Sequence, residues 1–382
     1  EEGDGGLQHG DDSCAAALQE PYQAARRRDR SALARDATRR RALALVRDQD
    51  GRALTPMGAL NPLSRRGLPR TTAAREARIM KIDARFHDAT STLTYVVYDE
   101  KTRDAVVIDP VLDYDPIASQ TSTSAAQALL GWIRERGLTV HFILETHAHA
   151  DHLTSAQFLA RELGAKVVIG EDIRVVQKTF APVFGLDAEF RTDGSQFDRL
   201  VADGEIVRAG SLEIRAMHTP GHTPACMSFL VGDAVFTGDA LFMPDSGTGR
   251  CDFPRGSAEQ LYASIQRLYA LPEATRVFVG HDYQPGGRPL AYETTIGASK
   301  RHNHQLGAET TQAAFVRLRN ERDATLAAPR LLFPSVQVNI QAGHLPRPNA
   351  AGIRNLSVPL NLFAPSDDAG VVRPAEARAR AG

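Results

Sequence analysis

Residues 141–152 read HFILETHAHADH. The apolar stretch from His141 to Leu144 has the length and composition of a buried strand. Directly after it, His147, His149, Asp151 and His152 crowd into six residues. A loop that only meets solvent has no use for three imidazoles at that density. A strand end followed by a helix can instead turn His147 and His149 toward one point, with Asp151 and His152 serving a second. Imidazole and carboxylate are the donors that borderline divalent metals prefer. The stretch therefore predicts a metal site, provided that other segments deliver donors to the same place.

They do, and in the same manner. EIRAMHTPGHT brings His218 to the end of a second apolar run, AVFTGDA brings Asp239 to the end of a third, and RVFVGHDY brings His281 to the end of a fourth. Loops at strand ends are where a rigid scaffold holds chemistry. His222, in PGHT, reads as a hydrogen bonder that braces its loop. His302, His304 and His344 have no companion motif.

The remaining pattern predicts alternating strands and helices. STLTYVVYD and DAVVID are β-branched runs joined by a turn at Glu100 to Arg103. SAAQALLGWIRERG places Ala126, Leu129, Leu130 and Ile133 on one helical face and stops at Gly137. TSAQFLARELG and SAEQLYASIQRLYAL are further helices, KVVIG and MSFLVG further strands. Some neighbouring strands lie too close together for crossover helices, so the sheets are expected to be mixed and covered by helices. The class is α/β (α+β).

Of 382 residues, 42% are hydrophobic and 24% charged, as in an ordinary globular protein. A formal net charge of −1 gives neither nucleic acid nor an anionic membrane an electrostatic reason to be a partner. No apolar run is long enough to cross a bilayer, and the first residues lack the pattern of a secretory signal. Cys14, Cys226 and Cys251 are too few and too scattered for a disulfide framework, which leads to the expectation of a reducing, cytoplasmic setting. Cys251 reads as a small buried residue. Residues 1–80 hold 15 arginines, no lysine and a single aromatic, Tyr22, and are expected to be a disordered extension. Residues 81–363 would form the catalytic domain with its C-terminal segment, and 364–382 a solvated tail.

THAHADH, HTPGHT, TGDALF and GHDY, in this order and spread over about 80–300, resemble the metallo-β-lactamase superfamily. The resemblance implies a four-layer αββα sandwich of two mixed sheets with the metal along one edge. It also implies one position held by His147, His149 and His218, a second held by Asp151, His152 and His281, and Asp239 shared between them.

Two longer stretches narrow the resemblance. ALFMPDSGTGRCDF at 240–253, together with GHDY at 280–283, is similar to persulfide dioxygenases, the non-haem iron relatives of glyoxalase II. LLFPSVQVNIQAGHLPRP at 331–348 resembles a bacterial β-lactamase-hydrolase-like branch. That likeness implies one Fe(II) on His147, His218 and Asp239, oxidising glutathione persulfide with O2 to sulfite and glutathione. It implies Arg250 and Lys300 as anion contacts for the substrate, and Asp151 and Tyr283 as participants in the chemistry. Asp252 and Asp282 would orient ligands from behind. The alternative is a glyoxalase II-like thioester hydrolase, or another hydrolase of the same fold such as a lactonase, on one or two zinc ions. A homodimer is expected by analogy.

Overall fold

In a computed structural model of the chain, residues 80–186, 189–360 and 362 are described. The expected Arg-rich extension and the tail lie outside these residues, apart from Met80. The first half of the fold runs β1 (Met80–His87), β2 (Thr92–Asp99), β3 (Asp104–Ile108), β4 (Val111–Asp115), β5 (Gln120–Ser122) and α1 (Ser124–Glu135). It continues through β6 (Thr139–Leu144), β7 (Leu153–Thr154), α2 (Ala156–Leu163), β8 (Lys166–Gly170), α3 (Ile173–Phe180) and β9 (Arg199–Val201). The second half runs β10 (Ile206–Ala209), β11 (Leu212–His218), β12 (Met227–Val231), β13 (Ala234–Phe236), α4 (Ala258–Tyr269), β14 (Arg276–Phe278) and β15 (Glu293–Thr295). Three helices follow, α5 (Ile296–His302), α6 (Gln312–Asp323) and α7 (Leu332–Asn339).

The strands form two six-stranded sheets, β1-β2-β3-β6-β8-β9 and β10-β11-β12-β13-β14-β15, with β5-β4-β7 as a small third. Both large sheets are mixed, as expected. In the first, β1, β2 and β3 pair antiparallel while β3, β6, β8 and β9 pair parallel. In the second only β13 and β14 are parallel, joined through α4.

Alternation along the strands explains the layering. On β2, Leu93, Tyr95 and Val97 face the second sheet, packing with Phe229, Phe236 and Phe278, whereas Val96 faces the helices. Outside the first sheet, Leu129 and Ile133 of α1, Leu159 of α2 and Val176 of α3 cover Val107, Ile143 and Val167. Outside the second, Leu261 and Ile265 of α4 and Phe315 of α6 cover Val235 and Val277. The result is helices, sheet, sheet, helices, the predicted four-layer sandwich. The turn between β2 and β3 is an Asx turn: Asp99 Oδ1 accepts from the amides of Lys101 and Thr102 at 2.8 and 3.1 Å. Among the described residues no helix is long and apolar enough to cross a membrane.

Candidate metal centre

The loops beyond β6, β11, β13 and β14 meet at one edge of the sandwich. They bring together His147, His149, Asp151, His152, His222, Asp239 and His281. Ring centroids of His147 and His149 are 4.1 Å apart, those of His149 and His152 also 4.1 Å, and those of His147 and His222 5.0 Å. Donor atoms of His147, His222 and Asp239 lie within 4.8 Å of one another, as do those of His149, Asp151 and His152.

Four of the five imidazoles are anchored by a hydrogen bond at one nitrogen and leave the other for the centre. The Thr146 hydroxyl donates to Asp109 Oδ2 at 2.8 Å, so it accepts from His147 Nδ1 at 3.0 Å. Backbone carbonyls can only accept, so Nδ1 of His152 donates to Leu153, that of His222 to Arg250 and that of His281 to Ser91, at 3.1, 2.7 and 3.2 Å. His149 is turned the other way. Its Nε2 stands 3.2 Å from Asp109 Oδ1 and 3.6 Å from Glu145 Oε2, leaving Nδ1 for the centre. Ligating histidines are oriented in this way by outer partners.

What remains fits a cation. His147 Nε2, His149 Nδ1, His152 Nε2, His281 Nε2, Asp151 Oδ2 and Asp239 Oδ1 are all buried with no hydrogen-bond partner among the described residues. Six orphaned donors and acceptors at one place would be costly if nothing met them. Burial, with the neighbouring imidazoles, drives His147 well below its ordinary value and His152 down to about 3. His149 moves the other way: burial opposes its charge, but Asp109 and Glu145 hold it well above the usual range. Burial would raise the Asp151 carboxyl, yet His281, His152 and His149 bring it down to about 2.

His218 is not part of this centre, which corrects the sequence expectation. It is the last residue of β11, paired with Met227, and its Nε2 lies 2.8 Å from the carbonyl of Pro224 and 3.3 Å from Asp172. His222 takes the place assigned to it, with Nε2 3.5 Å from Asp239 Oδ2. The Pro220–Gly221 turn is the reason. Gly221 has φ 138°, and a Cβ there would meet Leu261 of α4 at 2.4 Å, so glycine alone lets the chain double back and carry His222 inward. His222 does brace its loop, through Nδ1, but that leaves its other nitrogen for the centre. The first histidine of HTPGHT is bound to strand register, and the second lies past the turn.

The substrate-contact expectations also shift. A cavity of about 770 Å3 opens over the centre, lined among others by His152, Asp239, Phe242, Arg250, Tyr283 and Arg330. Arg250 lines it, but Asp252 takes its guanidinium in two contacts of 2.5 Å and the carbonyl of Ala327 a third at 2.8 Å. Lys300 lies on α5, on the outer side of the second sheet, and is not among the lining residues. Asp282 is fully buried and spends both oxygens on Arg288, at 2.7 Å each. Tyr283 is 57% exposed, its ring stacked on His281 at 5.7 Å. Burial pushes the Cys251 thiol well up, in keeping with a packing residue.

A family model described as the metallo-beta-lactamase superfamily matches residues 87–281. The chain belongs to the metallo-β-lactamase superfamily. Within the superfamily it is 45% identical over 294 residues to a probable metallo-hydrolase of Burkholderia pseudomallei, covering 74% of this chain and all of that one. It is 47% identical over 270 residues to glyoxylase B2 of Dictyostelium discoideum, covering 70% and 92%. The crystal structure of ETHE1 from Myxococcus xanthus superposes with a TM-score of 0.56 at 34% identity, covering 69% of this chain and 100% of that one. The persulfide dioxygenases of human, cattle and mouse, each 34% identical over 202 residues and 66% covered, are named as mitochondrial. That overturns the cytoplasmic expectation. The count of cysteines does not determine the compartment.

The chain is therefore a metal-dependent enzyme of this superfamily, with buried histidine and carboxylate clusters able to hold one ion or two.

Proposed function

We propose that this enzyme is a hydrolase of the glyoxalase II type, cleaving acyl thioesters at a two-metal centre. One observation carries the reading. Asp239 presents its two oxygens to opposite sides, Oδ2 to His222 at 3.5 Å and Oδ1 to His281 at 3.3 Å, while His281 is also 3.4 Å from Asp151. A carboxylate so placed is suited to be shared by adjacent cations, one among His147, His149 and His222, the other among Asp151, His152 and His281. The name of the Burkholderia relative, a probable metallo-hydrolase, supports hydrolysis.

Two ions bound there would supply an acidified water at neutral pH and polarise the thioester carbonyl. The protein's own part is orientation and charge. Asp151, held anionic, would help hold the second ion and can accept a hydrogen bond from the attacking water. Tyr283 lines the cavity, where an acyl or thiol portion would lie. The acyl carbon gains a bond to the water oxygen and loses its bond to sulfur; one water proton ends on the departing sulfur and the other passes to solvent, giving a carboxylate and a thiol.

A second reading, persulfide dioxygenation on one Fe(II), has its own support. His147, His222 and Asp239 form a two-histidine, one-carboxylate group, the set that suits non-haem iron, and the Myxococcus ETHE1 chain is covered along its whole length. Protein purified without chelator should be assayed for iron and zinc, for hydrolysis of S-lactoylglutathione, and for O2 uptake with glutathione persulfide. Two ions per chain with hydrolysis bear out the first reading. One iron per chain with O2 uptake and no hydrolysis replaces it with the second.

A further inference from the structure

The family model ends at residue 281, yet the metal loop is tied to a side chain 58 residues beyond it. Asn339, the last residue of α7, is only 4% exposed. Its Nδ2 donates to the carbonyls of His149 and His152 at 2.9 and 2.8 Å, and its Oδ1 accepts from the amide of Thr154 at 2.9 Å. One amide group thus holds both ends of the segment that carries His149, Asp151 and His152. That segment is irregular and buried, and such a loop has no ladder of its own to satisfy its polar backbone.

The contact extends to the imidazole itself. The Thr154 hydroxyl donates to Glu145 Oε1 at 2.5 Å, and Glu145 Oε2 is 3.6 Å from His149 Nε2. The backbone after α7 is pressed against the same place. Gly343 has φ 89°, and a Cβ there would lie 3.0 Å from Thr154 Cγ2 and 3.2 Å from its carbonyl oxygen. Val338, beside Asn339, packs with Leu112 of β4 and Leu153 of β7. Donor, donor, acceptor is a pattern an asparagine meets and an aspartate does not, since a carboxylate oxygen would face two carbonyls.

We infer that Asn339 is a positioning residue for the metal centre, and that the C-terminal segment of α7 sets the geometry of the His149–His152 loop through its backbone. This rests on the metal reading of the site and is independent of which reaction follows. α7 is then not a passive cover of the first sheet. It makes retention of the ion depend on residues outside the part that the superfamily model describes.

The test uses the full chain loaded with Co(II), whose visible absorption reports coordination. Asn339→Leu removes the three contacts at nearly constant volume. Gln337→Leu is the control, being equally buried on the same helix but bonded to Ser357 instead of the loop. Both variants should lower the melting temperature of the metal-free protein. Only Asn339→Leu should shift the Co(II) bands and speed loss of the ion to a chelator, by about 10–100-fold as for other outer partners of metal ligands. Equal spectra and equal loss rates in the two variants would overturn the inference. Should Asn339→Leu fail to fold, Asn339→Ser is measured against the same control with the same two outcomes. A wild-type chain that takes up no Co(II) overturns the metal reading itself, and this inference with it.

Discussion

His222 Nδ1 lies 2.7 Å from the carbonyl oxygen of Arg250, so the loop that carries the arginine also aims the histidine. The imidazole is fixed as the tautomer with Nε2 free toward Asp239. His218, four residues earlier, has its Nε2 on Pro224 and Asp172 at the rim. His222→Ala should therefore remove at least one ion per chain and lower kcat by more than about a hundredfold, beyond the loss typical of outer partners. His218→Ala should leave the metal content as in wild type and cost within about 1 kcal/mol of stability, as expected for a part-exposed polar contact. Metal analysis of the two purified variants decides. Normal metal content in His222→Ala would remove it from the centre.

Arg250 is paired with Asp252. Its guanidinium is already held by that carboxylate and by Ala327 before any substrate arrives. Arg250→Ala and Asp252→Ala should each loosen the loop behind His222 and lower kcat by about tenfold, with KM nearly unchanged. The double variant should be little worse than either single one, a coupling of about 1.4 kcal/mol. A rise in KM confined to Arg250→Ala would instead mark direct contact with substrate.

Between the sheets, Tyr95 combines packing with a polar anchor. Its ring meets Phe236 and Phe278 edge-on at 5.1 and 5.6 Å, and its hydroxyl donates to the carbonyl of Val279 at 2.6 Å, one residue before the Gly280–His281 turn. Tyr95→Phe keeps the ring and strands the buried carbonyl. The expected cost is about 1–3 kcal/mol. Urea unfolding should show a lower midpoint with the same slope. An unchanged midpoint would mean that the carbonyl finds another donor.

Where the sequence was legible, the cause was local. The β-branched alternation of β2 and β3 and the 3.6-residue spacing of α1 and α4 arise within single segments, and they appear in the structure where the pattern put them. β1 was not read as a strand because it is an edge strand whose residues are nearly all half-buried, leaving no clear alternation. β7 is two residues long and exists only because β4 pairs with it. The metal loop was legible for the same local reason, four donors in one short stretch. Choosing between His218 and His222 needed the direction of a glycine turn against α4, which no spacing encodes. The engagement of Asn339 by a loop 185–190 residues earlier is likewise a tertiary fact.

Metal uptake should be pH-dependent in a direction that the two raised imidazoles set. Burial works against charge on His149 and His281, yet Asp109 and Glu145 raise the first, and Asp239 and Asp151 the second, above the ordinary histidine value of about 6.5. Both therefore still bind protons in the metal-free chain where an ordinary histidine has lost them. A cation needs the neutral ring, so it must displace those protons. His147 and His152 are shifted down and are neutral already. Affinity should then climb as pH rises through the neutral range and weaken as it falls, with protons released on binding. Calorimetric titration of the metal-free chain with Zn(II), in buffers of different ionisation heat at pH 7, counts those protons. Between one and two per chain is the expected result. Binding with no proton release would mean that neither His149 nor His281 carries one, and that the carboxylates around them do not hold the charge assigned here.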